Sequence, residues 1–443
     1  MAKTFGLVLR RGVVVTPGGP VQTDIAVRDG RIDAFGSFGA GDAAQSLDCA
    51  GLHVLPGVID TQVHFREPGL EHKEDISSGT AAAAMGGVTA VFDMPNTEPP
   101  TVGDGELADK VRRTEGRAWV DMAFFVGATP ENARGLADLE RLPGCAGVKM
   151  FMGSSTGSLL VADDADVAEV LKRGSRRVAV HAEDEARLRE RFAIVCGGAD
   201  ARLHPAWRDA EAAYVATGRL LALAAEAKRR VHVLHVSTAE EMELLRRHRD
   251  LATVEVTPQH LTLAAPECYE ELGTLAQMNP PIRDARHRDA LWRALAGGLV
   301  DCIGSDHAPH TGEEKKRPYP GSPSGMPGVQ TLVPVMLDHV ARGRLGLERF
   351  VDLTSAGPAR IYGIAGRGRI ALGYSADFTV VDLKARRTIT DRWIVSRCGW
   401  TPFDGMTVSG WPVATIVRGQ VVMQDGSLVN DPVGELVRFL ECP

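Results

Sequence analysis

Short apolar runs alternate with helical patterns through the middle of the chain. Eight such runs predict strands near residues 57–64, 87–94, 118–127, 146–152, 177–182, 230–236, 252–257 and 300–306, each followed by a plausible helix. We interpret Ser237-Thr238-Ala239-Glu240 as a capping box that begins the helix after the sixth strand. Eight β-then-α units across about 310 residues favour a (β/α)8 barrel over an open sheet, with an active site at the carboxyl ends of the strands.

The two ends of the chain have a different texture. β-rich runs such as LVLRRGVVV and GLHVL, broken by Gly-Gly-Pro and Asp-Gly turns, precede the barrel pattern, and SADFTVVDL and ATIVRGQVVMQDGS follow it. We therefore predict an α/β protein in which both termini build one small discontinuous β-sandwich. The expected domains are 1–54 and 366–443 for the two parts of the sandwich, with the tail in the second, and 55–365 for the barrel.

Composition narrows the class of protein. The length of 443 residues fits one large barrel with a smaller domain. With 57 acidic and 50 basic residues the net charge is -7, which favours a small-molecule substrate over nucleic acid or an anionic membrane surface. Seven scattered cysteines without a C-x-x-C pair argue against a disulfide framework and a thiolate zinc site. No signal-peptide pattern or window of about 20 apolar residues occurs, which predicts a soluble, cytoplasmic protein.

Five ionisable side chains fall at the predicted carboxyl ends of barrel strands. Because these ends meet at one mouth, three histidines and an aspartate among them predict a metal site more readily than ordinary packing. The fifth is a lysine, whose ammonium form cannot bind a cation. It either forms a salt bridge with an acid such as Asp306 or reacts as a neutral amine with carbon dioxide. The five are His64, Lys149, His181, His235 and Asp306.

The segment from Gly57 to Thr97 carries the most specific pattern. Asp60, Gln62, His64 and Arg66 alternate with other residues, and a strand's period of two sends these four side chains to one face. The run, with the later MPNT, resembles the dihydroorotase family of cyclic amidohydrolases, in which D-x-H-x-H-x-R-x-P-G and M-P-N-T are characteristic. Gln62 stands where that family carries the first histidine of its H-x-H pair.

The resemblance implies a zinc site with one complete set of ligands. Members with K-x-F-M at the position of Lys149 carry a carboxylated lysine, whose carbamate oxygens bridge two metal ions. Carboxylated Lys149, His181 and His235 would bind one ion and leave a position open for water.

The same resemblance implies a weaker second site. It would use His64, Asp306 and the other carbamate oxygen, with Gln62 in place of an imidazole. An amide oxygen is a weaker donor to Zn²⁺ than an imidazole nitrogen, so we expect one firm metal and one weak or absent metal. Asp306 would also act as the catalytic proton shuttle, first as base and then as acid.

Substrate contacts are implied at six positions. Arg66 and Asn96 would hold a carboxylate, although Arg66 could instead pair with a nearby acid (Glu67, Glu74 or Asp75) and Asn96 could be a turn residue. GEEKKRPYPGSPSG is either a flap over the site or a solvated surface loop. His307 is expected beside the site, and most remaining histidines are expected to be surface or structural. The six positions are Arg66, Asn96, Asn279, His310, Pro327 and Gly328.

The activity implied is that of a zinc-dependent dihydroorotase, which interconverts L-dihydroorotate and N-carbamoyl-L-aspartate in pyrimidine synthesis. Two alternatives stay open. One is a hydantoinase- or allantoinase-like enzyme, whose ring lacks the carboxylate that Arg66 suits. The other is a non-catalytic subunit that binds aspartate carbamoyltransferase, which the loss of a ligand at Gln62 makes worth testing. A homo-oligomer such as a dimer is expected.

Overall fold

Seven strands precede the barrel and divide between two sheets. The computed structural model describes residues 5–155, 159–198 and 200–440. The first sheet has the order β5-β4-β1-β6, whereas β2, β3 and β7 join strands from the other end of the chain. The seven strands are β1 (Phe5–Arg10), β2 (Val13–Thr16), β3 (Gly19–Gln22), β4 (Asp24–Arg28), β5 (Arg31–Gly36), β6 (Ala43–Asp48) and β7 (His53–Pro56).

Eight parallel strands follow and pair in chain order. They are β8 (Val58–Val63), β9 (Val88–Asp93), β10 (Asp121–Gly127), β11 (Cys145–Phe151), β12 (Val178–His181), β13 (Val231–Val233), β14 (Ala252–Val256) and β15 (Cys302–Ile303). β15 is short, and the ring is completed beyond it by a parallel bridge between Val63 and His307. The backbone N–H of His64 also donates to the His307 carbonyl at 2.7 Å. The predicted eight-stranded barrel is confirmed.

Helices cover the barrel and shape its loops. Among the described residues, no helix is both long and apolar enough to cross a membrane. They are α1 (Ile76–Met85), α2 (Asp104–Thr114), α3 (Leu136–Leu139), α4 (Asp164–Leu171), α5 (Glu185–Arg191), α6 (His204–Trp207), α7 (Ala210–Ala227), α8 (Ala239–Arg246), α9 (Pro258–Thr262), α10 (Glu267–Leu272), α11 (Ala285–Ala296), α12 (Gly312–Lys315), α13 (Leu332–Ala341), α14 (Leu347–Val351) and α15 (Gly357–Tyr362).

The capping box of α8 lies one residue beyond the predicted position. Thr238 is the N-cap, and its hydroxyl accepts from the backbone N–H of Glu241 at 3.1 Å. The Glu241 carboxylate accepts in return from the Thr238 N–H at 3.2 Å. The sequence allows the capping box in two positions, Ser237 with Glu240 or Thr238 with Glu241, because both the hydroxyl residues and the glutamates are adjacent. The structure uses Ser237 elsewhere, as an acceptor for Arg283 Nε at 3.3 Å.

The second half of the sandwich follows the barrel in sequence. It consists of β16 (Phe378–Thr388), β17 (Thr407–Val417), β18 (Gln420–Gln424) and β19 (Ser427–Leu428). β16 pairs with β7, so one seven-stranded sheet of order β19-β18-β17-β16-β7-β2-β3 contains both ends of the chain. The apolar core of the sandwich lies between its two sheets, where Leu7 and Ile25 of the four-stranded sheet belong to one buried cluster with Phe378 and Ile416 of the seven-stranded sheet. The predicted two-terminus sandwich is confirmed, whereas its boundaries at residues 54 and 366 stay predictions.

Residues 434–440 close the amino end of the barrel, opposite the mouth. Residues 434–437 lie along the start of β10, where Met122 pairs with Leu436. The ring of Phe439 then packs edge-on against Phe92, with 5.6 Å between centroids. Tyr362 contacts the same Phe92 ring at 5.3 Å, so aromatic side chains fill this end. The polar residues of the site lie at the other end.

Candidate active site

A polar pocket opens at the carboxyl ends of the barrel strands. All five predicted strand-end ligands reach it, together with Gln62 and three of the six predicted substrate contacts. The segment GEEKKRPYPGSPSG, interpreted from the sequence as either a flap over the site or a surface loop, supplies Ser324 and Gly325 to the wall, whereas Phe151, Ser155 and Ala308 were not identified from the sequence. The pocket is lined by Gln62, His64, Arg66, Asn96, Lys149, Phe151, Ser155, His181, His235, Asn279, Asp306, Ala308, Ser324 and Gly325.

Two histidines present nitrogen atoms to each other within the pocket. His181 is the last residue of β12 and His235 follows β13 by two residues. His181 Nδ1 lies 3.1 Å from His235 Nε2, close to the about 3.3 Å between two nitrogen ligands of a tetrahedral zinc ion. Burial lowers the pKa of both imidazoles, so the neutral, metal-binding form is favoured. This pair fits two ligands of one metal ion.

An acid and an arginine support His181 from behind. His181 Nε2 lies 3.0 Å from Glu183 Oε2. Burial opposes ionisation of Glu183, but Arg208 and His181 hold the pKa of its carboxyl well below the usual range. Arg208 Nε donates to both Glu183 oxygens at 3.1 and 3.2 Å. A carboxylate on the outer nitrogen orients an imidazole so that its other nitrogen faces the metal.

Lys149 lies on β11 between these histidines and the first strand. Its side chain is fully buried, and burial lowers its pKa to about 7. Its Nζ lies 4.4 Å from the centroid of the Phe151 ring. A salt bridge with Asp306, the alternative raised by the sequence, is not found among the described residues. A large share of neutral amine at neutral pH is the form that carboxylation requires.

The other side of the pocket brings His64, Asp306 and Gln62 together. His64 Nδ1 lies 2.6 Å from Asn96 Oδ1, so with this orientation of the amide the proton is on Nδ1 and Nε2 carries a lone pair. That Nε2 lies 3.2 Å from Asp306 Oδ1, which is also an acceptor. Two acceptors at this distance need a proton or a cation between them, and burial lowers the pKa of His64. The pair therefore fits a metal ion.

Gln62 occupies this second site as a hydrogen-bond donor. Its Nε2 donates to Asp306 Oδ1 at 3.1 Å, which occupies an oxygen that a metal would otherwise bind. Its Oε1 is buried and has no hydrogen-bond partner among the described residues. The amide oxygen is therefore free to act as a ligand, while the amide nitrogen partly replaces a cation beside Asp306.

Asp306 is ionised and held in a left-handed backbone conformation. Burial opposes its ionisation, but the nearby His64, His235 and Lys149 side chains keep its pKa well below the usual range. Its φ is 45°, and His235 has a φ of 38°. Such conformations cost about 1–3 kcal/mol in ordinary residues and persist where the surrounding structure enforces them. The surrounding structure therefore keeps Asp306 and His235 at the mouth of the barrel in backbone conformations that non-glycine residues ordinarily avoid.

Asp60 shares the strand with Gln62 but does not reach the pocket. Its Oδ1 accepts from the backbone N–H of Ser305 at 3.0 Å and from that of Gln62 at 3.2 Å. Burial raises its pKa to about 7. Asp60 therefore joins β8 to the segment carrying Asp306, whereas Gln62, His64 and Arg66 line the pocket.

Arg66 turns a free end of its guanidinium toward the pocket. The side chain is 1% exposed. Nε donates to the Pro309 carbonyl at 3.1 Å, whereas Nη1 has no partner among the described residues. Burial lowers its pKa to about 10, so the group stays charged at neutral pH. The acids proposed as alternative partners bind other groups, as Arg117 shows for Glu67 and Arg397 for Asp75. Arg66 thus presents an unpaired cationic donor.

His310 lies behind Arg66 rather than in the pocket wall. Lys73 Nζ lies 3.2 Å from His310 Nδ1. His310 Nε2 lies 3.0 Å from the Ser324 carbonyl and 3.3 Å from Arg66 Nη2. Burial lowers the pKa of His310 to about 3, which keeps the ring neutral. The structure therefore gives His310 a supporting contact to the wall at Ser324.

Asn279 faces the pocket in an orientation determined by His204. His204 Nε2 lies 3.0 Å from the Met278 carbonyl and 3.1 Å from Asn279 Oδ1, so it donates to both oxygens. The hydroxyl of Tyr319 lies 3.1 Å from His204 Nδ1. Asn279 Nδ2 is left directed toward Ser155 Oγ at 3.4 Å and the pocket. His204, expected to be surface or structural, proves to be a buried residue that orients a pocket amide.

Pro327 and Gly328 lie outside the pocket wall. The N–H of Gly328 donates to His307 Nδ1 at 3.1 Å, and His307 Nε2 lies 3.4 Å from Glu74 Oε2. A Cβ at Gly328 would lie 2.7 Å from the Ser305 carbonyl, so only glycine fits. His307 therefore lies beside the site, as expected. The predicted ring contact from Pro327 and Gly328 stays a prediction.

A second group of metal-binding residue types lies inside the barrel. His232 Nε2 is 3.5 Å from Glu255 Oε2 and 3.6 Å from Cys302 Sγ. Burial raises the pKa of the Cys302 thiol well above its usual range, so the protonated form is favoured. Glu255 Oε2 accepts from the Thr61 hydroxyl at 3.1 Å, and His232 Nδ1 lies 2.8 Å from Thr253 Oγ1. We interpret this group as a hydrogen-bonded core network.

The chain is similar to known proteins along almost its whole length. The model of the amidohydrolase family matches residues 53–422. A dihydroorotase of Halobacterium salinarum is 39% identical over 420 residues, covering 94% of this chain and 96% of the relative. An allantoinase of Rubrobacter xylanophilus is 36% identical over 455 residues, with 98% of both chains covered. The solved L-hydantoinase of Arthrobacter aurescens has a TM-score of 0.92 at 30% identity and covers 98% of this chain and 99% of its own.

The match extends across the barrel and into both halves of the sandwich. Its limits, residues 53 and 422, fall in β7 and β18, which belong to the same seven-stranded sheet. The family assignment and the independently described pocket therefore concern the same part of the molecule. The chain belongs to the amidohydrolase family.

Proposed function

We propose that this protein is a dihydroorotase, which interconverts L-dihydroorotate and N-carbamoyl-L-aspartate by closing or hydrolysing a ring amide. Arg66 is the observation that carries the proposal, because its charged, buried guanidinium has a free donor facing the pocket. Both dihydroorotate and its open form bear a carboxylate, for which a guanidinium is suited. The full-length similarity to the dihydroorotase of Halobacterium salinarum supports the same substrate.

A cyclic amide without a carboxylate is the main alternative. The allantoinase of Rubrobacter xylanophilus is 36% identical, only slightly less similar than the dihydroorotase. Overall identity therefore does not separate the two substrates. Arg66 favours the substrate with a carboxylate, because a neutral ring would leave this buried cation unpaired, which is unfavourable.

The family is metal-dependent, and the pocket offers ligands for zinc. We propose that His181, His235 and carboxylated Lys149 hold one ion, and that His64 and Asp306 hold a second, weaker one. Zinc bound there would polarise the amide carbonyl and ease deprotonation of the attacking water. The 3.1 Å separation of the two imidazole nitrogens and the lowered pKa of Lys149 support this assignment.

The side chains of the pocket would bind the substrate and move the proton. Asp306, ionised at neutral pH, accepts a proton from water as the oxygen attacks the ring carbonyl, and returns it to the ring nitrogen as the C–N bond breaks. Ring closure uses the reverse transfers. Arg66 holds the carboxylate end, and Asn279 donates from Nδ2 to a ring carbonyl. These contacts would keep the amide carbon within reach of the attacking oxygen.

Replacing Gln62 with histidine is expected to strengthen the second metal site. An imidazole nitrogen binds zinc more strongly than an amide oxygen, so tightly held zinc should rise from about one to about two ions per chain, and activity should rise with it. Elemental analysis of the purified variant checks the result. Gln45→His, at an exposed position, is the matched control. Two tightly held ions in the unmodified protein would contradict the prediction.

The proposed activity is tested by assaying purified protein with both compounds while counting zinc in the same sample. Turnover of L-dihydroorotate and N-carbamoyl-L-aspartate supports the proposal. Turnover of hydantoin or allantoin alone would replace it with the neutral-ring alternative. No turnover by zinc-loaded protein that co-purifies with aspartate carbamoyltransferase would favour the non-catalytic role. Sedimentation of the same sample tests the predicted homo-oligomer.

A further inference from the structure

One loop beyond the eighth strand forms part of the pocket wall. We define segment 311–325 as the residues from Thr311 to Gly325. Ser324 and Gly325, at its end, line the pocket. Tyr319, within it, contacts the His204 ring that orients Asn279. The position of this segment therefore determines both a wall of the pocket and a donor inside it.

A buried lysine joins the two ends of the segment. Lys315, at the end of α12, is 1% exposed. Its Nζ donates to the carbonyls of Pro323 at 2.9 Å, Gly325 at 3.0 Å and Gln277 at 3.2 Å. Three backbone acceptors match the three N–H bonds of an ammonium group. Because Gln277 lies outside the segment, these bonds fasten the segment to the chain that leads to Asn279.

Two further contacts fix the end of the segment. The N–H of Gly325 donates to the Gln277 carbonyl at 2.9 Å, beside the lysine contact. Gly325 has a φ of 137°, and a Cβ there would lie 2.4 Å from the Ala308 carbonyl. Its backbone is thus packed directly against the pocket wall. The segment has little freedom at this point while the Lys315 contacts last.

The next residue in the chain is a natural contrast. Lys316 Nζ pairs with Glu313 Oε1 at 2.9 Å on the surface, with 75% of the Lys316 side chain exposed. The two lysines share a short helix end but differ completely in surroundings. Burying a long charged side chain is costly unless its donors are satisfied, so the Lys315 arrangement calls for a specific role.

We propose that Lys315 is a latch that holds segment 311–325 closed over the pocket and thereby acts as a positioning residue for substrate binding. The link to turnover rests on the proposed dihydroorotase function. The latch itself does not, because it concerns the protein's own hydrogen bonds. The Lys315 ammonium group also lies near the face of Trp400, with 5.8 Å between Nζ and the ring centroid.

The test compares Lys315→Met with Lys316→Met. Methionine keeps an unbranched apolar stem and removes all three donors. We expect amide hydrogen exchange at residues 321–328 to rise at least about tenfold in K315M and to stay at the unmodified rate in K316M, since each lost hydrogen bond weakens closure. The proposal is overturned if exchange in both variants equals that of the unmodified protein.

Kinetics separate positioning from general damage. In K315M we expect KM for L-dihydroorotate to rise about tenfold, with kcat at saturation changed less and zinc content unchanged. A fall in kcat with unchanged KM would overturn the positioning role. If the unmodified protein does not turn over dihydroorotate, the proposed function fails, and the exchange measurement still decides the latch.

Amine labelling of the unmodified protein covers the case in which K315M does not fold. Acetic anhydride should modify Lys316 rapidly and Lys315 at least about tenfold more slowly, because a latched amine is shielded by its three acceptors. Peptide mass spectrometry measures both rates in one sample. Equal rates for the two lysines would show that the segment opens freely and would overturn the latch.

Discussion

Replacing Asp306 with asparagine is expected to lower kcat with L-dihydroorotate and with N-carbamoyl-L-aspartate by about 10²–10⁴-fold, the usual contribution of a general acid–base group. The asparagine keeps the shape of the side chain and cannot carry the proton in either direction. The zinc ion assigned to Lys149, His181 and His235 should remain, because Asp306 is not among its ligands. Steady-state rates and zinc content measured on one preparation check the result.

A control distinguishes this effect from a general loss of an acidic side chain. Asp289, exposed on α11, becomes asparagine in the matched variant, which should retain full activity. If D306N keeps kcat within about threefold of the unmodified protein, Asp306 does not move the proton in the limiting step. If D306N loses all zinc, the first metal site also depends on this aspartate and our division of the ligands is wrong.

The second large effect is expected when Arg66 is replaced with methionine. The variant removes a buried cation with a free donor, so kcat/KM for L-dihydroorotate should fall about 10²–10³-fold, as expected for losing one partner of a desolvated charge pair. Any slow turnover of hydantoin or allantoin should be unchanged or higher, since these rings have no carboxylate to bind. Competition assays with the three compounds measure the change in preference.

Two companion variants show whether charge or geometry matters at this position. Arg66→Lys keeps the charge but loses the planar pair of donors, so its activity should lie between those of R66M and the unmodified protein. Arg113→Met removes a partly exposed arginine that pairs with Glu67 and should leave substrate preference unchanged. An equal loss for charged and neutral rings in R66M would mean that Arg66 supports the pocket without recognising the carboxylate.

The barrel and its strand-end residues were predictable because they follow from periodicity and topology. Parallel barrel strands bring their carboxyl ends to one mouth, so His181 and Lys149 could be assigned to a common site from their positions alone. Short strands limited the detail. β15 spans two residues rather than the seven predicted near 300–306, because the chain there leaves the ladder to carry Asp306 in a left-handed conformation.

The supporting contacts were not predictable because they depend on loop conformation. His204 meets Asn279 across 75 residues of chain, and Lys73 meets His310 across 237. No periodic pattern marks such residues in a sequence. Glu183 was within reach of sequence reasoning, since it follows His181 by two residues at the strand end. The buried contacts of Lys315 could not be read from the sequence, because its neighbour Lys316 is the same residue type and only burial distinguishes the two.

In the sheet that contains both ends of the chain, β7 is synthesised long before its partner β16. The N–H of Val58 donates to the Thr379 hydroxyl across 321 residues of sequence, just beside the pairing of β7 with β16. At about 5–20 residues per second, a ribosome needs roughly 16–64 s to make that stretch. During this interval β7 has an unpaired edge on the side that β16 will occupy. Until β16 is made, that edge is open to pairing with another chain, which is the hazard that any unpaired strand edge presents.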